Sequence, residues 1–586
     1  MTTGSGAVVH GVPRDVVVGL DEAVSHVQAG DAVHVMCSHT RFSAVARALV
    51  RRWWGRDPQW TLVMLSLSSL GALFFPPGEG RRGLVRRVVT GYSGDVFPNF
   101  TPNPRFSLAY MSGEVEVEHW SFLAFAQRME AAARGLPAVA TDSIAGSSME
   151  HNDGFAVVDT PFGGLGLLEA YAPDIALVHA AVADRSGNLA FHPPLLEGAW
   201  GALAARRGVV ASVERVVDDI TPWAHLVRVP SHRVLAVAEA PMGAHPGGLY
   251  GTFTPAEPYA EDLDHWVAAR DATRGTDEEW SEFVRHWVLE PETQQDYLDR
   301  LGVERVERLR ARSDRQSWRE DAQENPPNLS APPNDWELAA VHGARALADR
   351  LVDSCADAVL AGAGVANLAT WLGVELARER GATTVLTAEL GLLGYEPTPA
   401  DPFVFNHRAF PSSMMLADSD VVLGCLVPGS ATTTLACLGA AQIDALGNIN
   451  STMIPAAQHD DGSTSRGVFL VGSGGGNDVA STADDVVVVT TLTPRRTVQR
   501  VPYVTSPGAR VSVIATELGV FERRAGGFEL VGIPAGVDRE EHFGLIADSL
   551  AWPLKVADEC AELAPPGAGE IERLRTWDPK GLFLRA

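Results

Sequence analysis

The sequence predicts an α/β protein built from two tandem open domains, each with a mainly parallel sheet, related by internal duplication. Three observations support this prediction. Short β-branched runs alternate with longer segments of helical periodicity, a sequence block recurs at a constant offset, and a polar, proline-rich stretch separates the two copies. The chain has 586 residues, which is more than one hydrophobic core usually supports.

The composition is that of a globular protein and limits the classes of partner to expect. Hydrophobic residues make up 46% of the chain, and the formal net charge is −26, which argues against nucleic acid as a partner. The five cysteines are scattered and lack metal-ligand spacing, so we expect no disulfide framework, no metal site and a cytoplasmic location. No stretch reads as a signal peptide or a membrane span, so we expect no membrane partner.

The elements of the first half follow a β-α-β pattern. Residues 31–36 and 61–67 are predicted strands, and the helical periodicity of residues 42–54 lies between them. We then predict a helix over 119–134, a strand that enters a hairpin over 173–194, strands over 209–217 and 233–240, and helices within 261–313.

The densest basic cluster of this acidic chain is Arg81-Arg82-Gly83-Leu84-Val85-Arg86-Arg87. Such a run usually forms a solvated face. A pocket for a polyanionic ligand is the alternative interpretation.

A linker is predicted over residues 313–335, which are polar and contain two Pro-Pro pairs. The predicted domains are therefore 1–312 and 336–586.

The second domain repeats the first. Asp184 and Asp444 lie 260 positions apart, and so do Gly187 and Gly447, within blocks that share Ala, Ala, Asp, Gly and Asn without a gap. We infer two copies of one fold. Aligning Thr61-Leu62-Val63 with Thr383-Thr384-Val385 places Leu67 opposite Glu389, so a carboxylate is expected only in the second copy and the active site at the interface of the halves.

The candidate catalytic residue is Glu389. It ends a predicted buried strand, Val385-Leu386-Thr387, and two glycines permit a tight exit behind it. Ligands of open α/β sheets bind at this carboxyl edge, so an apolar setting there favours a nucleophile or base. A strand-end Glu paired with an arginine or facing water is the alternative.

Three further features of the second copy are candidate site elements, namely two glycine-rich loops and the side-chain amides of the hairpin at 439–452. The loop Gly362-Ala363-Gly364-Val365-Ala366-Asn367 joins a strand to a helix, and the run 472–478 follows a predicted strand over 468–471. A glycine run can present N–H groups to an oxyanion. The candidate oxyanion residues are Gly474 and Gly475, and the candidate substrate-binding residues are Gly362, Gly364, Asn367, Gln442, Asn448, Gly476 and Asn477.

These motifs resemble the family I coenzyme A transferases, closest to the glutaconate and 3-oxoacid types. The segments LTAELGLLG, GAAQIDALGNINST, GAGVANLA and GSGGGND resemble the β half of that family, and GLPAVATDSIAGSSM, HAAVADRSGNL and APMGAHPGG resemble the α half. The first predicted domain is therefore α-subunit-like and the second β-subunit-like. Two segments depart from the family pattern, the glycine-poor turn 36–40 and the Tyr395-Glu396-Pro397 ending, and both could reshape the acyl pocket.

The resemblance implies that Glu389 is the nucleophile. It would receive an acyl group from acyl-CoA, become a glutamyl-CoA thioester, and pass CoA to a carboxylic acid by ping-pong kinetics. The implied partners are acyl-CoA and carboxylic acids, with coenzyme A as substrate, no permanently bound cofactor, and a homodimer of fused chains. An acyl-CoA hydrolase, a CoA-ester decarboxylase and a non-catalytic CoA or ligand sensor are the alternatives; the retained Glu389 disfavours the decarboxylase.

Overall fold

The chain folds around two large sheets. The structure, a computed structural model, describes residues 14–36, 44–76, 83–251, 253–403, 407–458 and 464–584. The strands before residue 250 are β1 (Ala32–Val35), β2 (Trp60–Val63), β3 (Ser66–Leu67), β4 (Val85–Thr90), β5 (Tyr92–Asp95), β6 (Thr101–Pro102), β7 (Glu116–His119), β8 (Ala138–Thr141), β9 (Phe155–Thr160), β10 (Gly163–Glu169), β11 (Ile175–Asp184), β12 (Leu189–Ala190), β13 (Gly208–Val217), β14 (Val227–Val229) and β15 (Val234–Glu239).

The later strands belong to the second half. They are β16 (Ala358–Ala361), β17 (Val385–Ala388), β18 (Leu392–Leu393), β19 (Met415–Leu416), β20 (Thr434–Gly439), β21 (Gln442–Asp444), β22 (Ile449–Asn450), β23 (Met453–Ile454), β24 (Ala457–Gln458), β25 (Thr464–Ser465), β26 (Val468–Phe469), β27 (Asp485–Val489), β28 (Thr497–Val498), β29 (Val511–Ala515), β30 (Val520–Arg524), β31 (Gly527–Pro534) and β32 (Val556–Leu563).

Helices cover the sheets and extend the first half. The α-helices are α1 (Leu20–Ala23), α2 (Ala44–Trp53), α3 (Pro104–Met111), α4 (Phe122–Ala133), α5 (Trp200–Ala204), α6 (Leu263–Arg274), α7 (Asp277–Val284), α8 (Gln294–Leu301), α9 (Val303–Ala311), α10 (Trp318–Glu324), α11 (Asp335–Asp353), α12 (Val365–Glu379), α13 (Ser419–Val421), α14 (Gly476–Thr482), α15 (Arg539–Ser549) and α16 (Ala568–Trp577). Short 3₁₀ or π turns lie at Val24–His26, Ser69–Phe74, Ser148–His151, Thr221–Leu226, Ser231–Arg233, Arg285–Leu289, His407–Ser412 and Val422–Leu426.

The two sheets share a parallel centre with the same strand order. Five neighbouring parallel strands run β15-β13-β11-β1-β2 in the first sheet and β29-β27-β20-β16-β17 in the second. Antiparallel strands are added at the edges, among them β18, β19 and β30. The central strands are buried apolar runs, as expected for parallel strands covered on both faces. The predicted duplicated α/β fold is confirmed.

The repeated hairpins are alike in atomic detail. In the first copy the Asn188 N–H and Nδ2 donate to the Asp184 carboxylate over 2.9 and 2.6 Å. In the second copy Asn448 makes the same pair of bonds to Asp444, over 3.0 and 3.1 Å. Gly187 and Gly447 both have positive φ, of 96° and 79°. The Asp and Gly therefore recur because this turn requires them.

The strand pairing corrects the predicted alignment of the two copies. Ala32 pairs with Thr61 in the first sheet, and Ala358 pairs with Val385 in the second. Counting from these equivalent positions places Leu65, not Leu67, opposite Glu389. The apolar runs at 61–67 and 383–388 fit either register, which only the pairing to β1 and β16 decides. Neither register supplies a carboxylate in the first copy.

The predicted linker contains structure. Within 313–335 lies α10, and Asn334 caps α11 together with Glu337. The strands of the first large sheet all precede residue 240 and those of the second all follow residue 357, while the domain limits 312 and 336 stay predictions.

No helix in the described ranges is long and apolar enough to cross a membrane. Cys355, Cys425, Cys437 and Cys560 are free thiols, and Cys37 lies outside the described residues.

Candidate active site

Glu389 lies in the tight turn that follows β17. The Gly391 N–H donates to the Ala388 carbonyl over 3.0 Å, and the chain returns as the antiparallel strand β18. Gly391 has a φ of +106°, and a Cβ there would lie 1.7 Å from the Ala417 carbonyl oxygen. A side chain at 391 is therefore excluded twice, by backbone conformation and by contact. The predicted glycine exit holds Glu389 at the carboxyl edge of the sheet.

The glycine run 472–476 joins the two halves. The N–H groups of Ser473 and Gly474 donate to the Gly91 carbonyl over 3.1 and 3.0 Å, and the Phe122 N–H donates to the Gly474 carbonyl over 3.1 Å. The predicted strand over 468–471 is shorter, because only Val468–Phe469 pairs, and it pairs with β23 outside the large sheet. The run is thus an interface element, not the end of a central strand.

Gly475 contacts the carboxylate directly. Its N–H donates to Oε2 of Glu389 over 2.9 Å. A Cβ at 475 would lie 2.2 Å from that oxygen, so the contact itself requires glycine. Of the two predicted oxyanion donors, Gly475 lies at the carboxylate, whereas the N–H of Gly474 is already bonded to Gly91.

A cavity of about 500 Å³ opens beside Glu389 and is lined by both halves. Glu389 and Arg496 are the two charged side chains that line it within the described part of the chain. Much of the remaining wall is apolar or glycine. Lining residues from the first half include Met64, Tyr92, Val96, Phe100, Phe122 and Leu196, and those from the second include Trp336, Gly362, Gly364, Ala440, Gly474, Gly475, Gly476 and Phe583.

Burial raises the pKa of two carboxyl groups at the interface of the halves. Desolvation raises the pKa of Glu389 to about 7, the charge of Asp478 adds to the rise, and the Gly475 hydrogen bond opposes it. Desolvation likewise raises the pKa of Asp478 to about 6, against hydrogen bonds from Ser121, Ser143 and the N–H of Leu123. A carboxylate whose pKa lies near neutrality in a cleft is typical of functional sites.

The other predicted loop lies partly in the cavity wall. Gly362 and Gly364 line the cavity, and Gly364 has a φ of +71° as α12 begins. A Cβ at 362 would lie 2.5 Å from the Cys437 carbonyl oxygen, so close packing of β16 on β20 requires this glycine. Asn367 is buried behind them and donates from Nδ2 to the Pro402 carbonyl over 2.8 Å.

Three predicted polar residues are engaged away from the cavity. Gln442 accepts from Nδ2 of Asn450 over 2.9 Å, and Asn448 holds the hairpin. Asn477 accepts from the Ile144 N–H over 2.9 Å and donates to the Thr505 carbonyl over 2.8 Å, which connects the halves. With Asn367, they are absent from the cavity lining, and their substrate-binding role stays a prediction.

The two segments that depart from the family pattern, and the basic cluster, have no described residue in the cavity lining, except that Leu84 and Val85 of that cluster are core residues of the first half. Tyr395 is buried and accepts from Nε1 of Trp371 over 3.0 Å, and Glu396 pairs with Arg378, so this segment packs on α12. Of the turn 36–40 only Met36 is described. Arg81 and Arg82 are outside the described ranges, whereas Arg86 and Arg87 are exposed on β4, where Arg87 pairs with Glu118.

Sequence reasoning missed Tyr92, Asp478 and Arg496. Tyr92 reaches the site through an isolated bridge to Gly472, a pairing between distant segments that no local pattern reveals. Arg496 had a usable signal, because it follows β27 at the same carboxyl edge as Glu389.

Comparison with known proteins decides the family. Residues 78–240 and 346–527 match the coenzyme A transferase family, which is more than half of the chain. The chain belongs to this family. The fold of an acyl-CoA transferase from Escherichia coli O157:H7, solved as a thioester complex with CoA, superposes on this coenzyme A transferase family member with a TM-score of 0.63 at 18% identity, over 97% of this chain and 98% of that one.

Curated relatives of this coenzyme A transferase family member include the separate subunits of two-chain enzymes. One subunit of the 3-oxoadipate CoA-transferase from Pseudomonas knackmussii is 31% identical over 180 residues, 29% of this chain. The other subunit of that enzyme is 29% identical over 160 residues, 24% of this chain. The matches span 63% and 58% of those two polypeptides, and half of the length of an uncharacterised relative from Archaeoglobus fulgidus.

Proposed function

We propose that the protein is a CoA-transferase that moves coenzyme A from an acyl-CoA to a carboxylic acid through a covalent intermediate on Glu389. The observation that carries the proposal is the Gly475–Glu389 hydrogen bond at the wall of a cavity shared by both halves. Family membership and the names of the relatives support it.

The geometry supports a role for each carboxylate oxygen. Oε2 accepts from Gly475, and Oε1 has no hydrogen-bond partner among the described residues. Oε1 attacks the thioester carbonyl carbon, the C–S bond breaks, and CoA leaves as the thiolate, giving an acyl-glutamyl anhydride. Oε2 is then the glutamyl carbonyl oxygen and keeps the Gly475 hydrogen bond.

The second step uses that bond. The CoA thiolate attacks Cδ of Glu389, negative charge develops on Oε2, and the Gly475 N–H stabilises it. The first carboxylic acid leaves as its carboxylate, and Glu389 becomes the glutamyl-CoA thioester. The acceptor carboxylate reverses both steps and leaves as the new acyl-CoA. No electrons are exchanged overall, and Glu389 is regenerated.

Assembly and location form a further part of the proposal. The hairpin of β9 and β10 exposes Phe162 by 99% and Val157 by 65%. Exposed apolar side chains at the tip and along one strand of a hairpin are typical of a surface at which two copies of a chain meet. We propose a homodimer that forms through this hairpin, and sedimentation of the Phe162→Asp variant beside the wild type tests it. We also propose a cytoplasmic location, which fits the free cysteines.

The experiment that tests the function measures CoA exchange between a panel of acyl-CoAs and carboxylic acids. We expect transfer by the wild type and loss of transfer in Glu389→Gln, which keeps the side-chain volume. Thiol release that needs no acceptor indicates a hydrolase, and binding without turnover indicates a sensor. Either result overturns the proposal.

A further inference from the structure

A cation lies in the wall of the cavity that Glu389 also lines. Among the described lining residues Arg496 is the single positively charged side chain. Its backbone is fixed, because its N–H donates to the Thr493 carbonyl over 2.9 Å and its own carbonyl accepts from the Ile443 N–H over 2.7 Å. The guanidinium is therefore presented to the cavity from an anchored turn.

The guanidinium has unused hydrogen-bonding capacity. Nη1 donates to the Ala440 carbonyl over 2.9 Å, and the group lies 5.0 Å from the centre of the Trp336 ring. A guanidinium carries five N–H donors, and the described residues accept from only this one. No described carboxylate lies within ion-pair distance. Glu517 is the acidic residue whose charge raises the pKa of Arg496. The Glu517 oxygens themselves accept from the Leu492 N–H.

Partial burial lowers the pKa of Arg496, with Glu517 giving some compensation. A partly desolvated arginine with free donors is suited to a planar oxyanion, which it can bind with two parallel hydrogen bonds.

The topology places this cation away from the reacting carbonyl. Glu389 follows β17, and Ala440 follows β20, two strands further across the sheet. Neighbouring strands lie about 4.8 Å apart, so the two sites are separated by roughly 10 Å. An anion bound at Arg496 is thus part of a substrate whose reacting end lies at Glu389, and its binding energy is available to the reaction.

We propose that Arg496 is the receptor for a second oxyanion of the substrate, either the distal carboxylate of a dicarboxylic acyl group or a phosphate of CoA. The inference rests on the proposed function for the identity of the substrate. It adds the residue that selects a remote negative charge.

The test compares Arg496→Gln and the charge-retaining Arg496→Lys with Arg495→Gln, a change at the exposed neighbouring arginine, which does not line the cavity. Calorimetry in a Glu389→Gln background, which needs no turnover, measures binding of CoA, pantetheine, succinate and butyrate. Melting curves confirm that each variant is folded, and Arg496→Lys provides the comparison if Arg496→Gln is not.

A phosphate source predicts that Arg496→Gln weakens CoA binding about tenfold or more and leaves pantetheine unchanged. A carboxylate source predicts a similar loss for succinate relative to butyrate with CoA unchanged. Arg496→Lys is expected to retain part of the affinity in either case. Changes of less than twofold for every probe, equal to those of Arg495→Gln, overturn the inference. Absence of transfer in the wild type with intact Arg496-dependent binding overturns the proposed function alone.

Discussion

The Gly475 N–H and Oε2 of Glu389, 86 positions apart in the sequence, are joined by a hydrogen bond of 2.9 Å. This bond connects the turn after β17 with the glycine run that binds Gly91 and Phe122 of the first half. The nucleophile proposed here is therefore positioned by an element that both halves hold in place.

Replacing Gly475 with alanine is expected to reduce transfer by about 10²-fold or more, because the new Cβ would displace the Glu389 carboxylate from its donor. The φ of Gly475 is −85°, which alanine adopts without strain, so the effect is one of contact. Steady-state kinetics measure it. Gly544→Ala is the matched control, since a Cβ there meets nothing within 4 Å. Equal activities of the two variants would contradict the proposed contact.

Glu389→Gln is expected to stabilise the fold more at pH 8 than at pH 5. The pKa of Glu389 is about 7 in the folded chain against 4.5 for a free side chain, so between these values the folded state keeps a proton that the unfolded state has lost. Wild-type stability therefore falls as pH rises through this window, by an amount on the order of 1–3 kcal/mol. Urea unfolding at both pH values measures the difference. A gain that is independent of pH would show that Glu389 is not desolvated.

Asp478→Asn is expected to move the acid limb of the pH profile of kcat/KM to lower pH by roughly half a unit to one unit. Asp478 raises the pKa of Glu389 through its charge, which it carries above about pH 6, and Tyr92 also faces Glu389. Removing the charge lets Glu389 ionise earlier. Asp484→Asn, just beyond the same helix, controls for a general change in charge. A limb that does not move, or moves upward, would refute the coupling.

Asn188→Ala and Asn448→Ala are expected to destabilise the protein by similar amounts, about 1–3 kcal/mol each, because each removes a hairpin amide with matching partners. Asn188 thereby serves as an internal control for Asn448. Unfolding curves and KM for acyl-CoA are measured together. A rise in KM in Asn448→Ala alone would support the substrate-binding role predicted from the sequence.

The fold was predictable because its signals are local. Buried strand runs, helical periodicity and the Asp-Gly-Asn hairpin each arise within about ten residues, and the constant offset of Asp184 and Asp444 reports the duplication directly. The signal that decides strand register is not local, because it lies in the pairing of distant segments. The pairing of β2 with β1 shows that Leu65 is equivalent to Glu389. The apolar run around Leu65 is compatible with more than one register and could not show this.

The proximity of Glu389 and Gly475 was predictable because chemistry and backbone geometry coincide there, and their catalytic roles stay predictions. The contacts of the amide side chains were less predictable. Asn448 and Asn477 satisfy buried backbone groups, and an amide in a hairpin has the same sequence appearance as one that binds a ligand. Tyr92 and Asp478 enter the site through contacts between the halves, which a single sequence does not encode in any spacing.

Covalent attachment of CoA to Glu389 is the step that defines the proposed reaction. The most direct measurement is mass spectrometry of the protein after incubation with acyl-CoA donors and no acceptor. We expect a CoA adduct on the peptide that contains Glu389, its disappearance when a carboxylic acid is added, and its absence in Glu389→Gln. An adduct on another residue, or transfer that proceeds in Glu389→Gln, would contradict it.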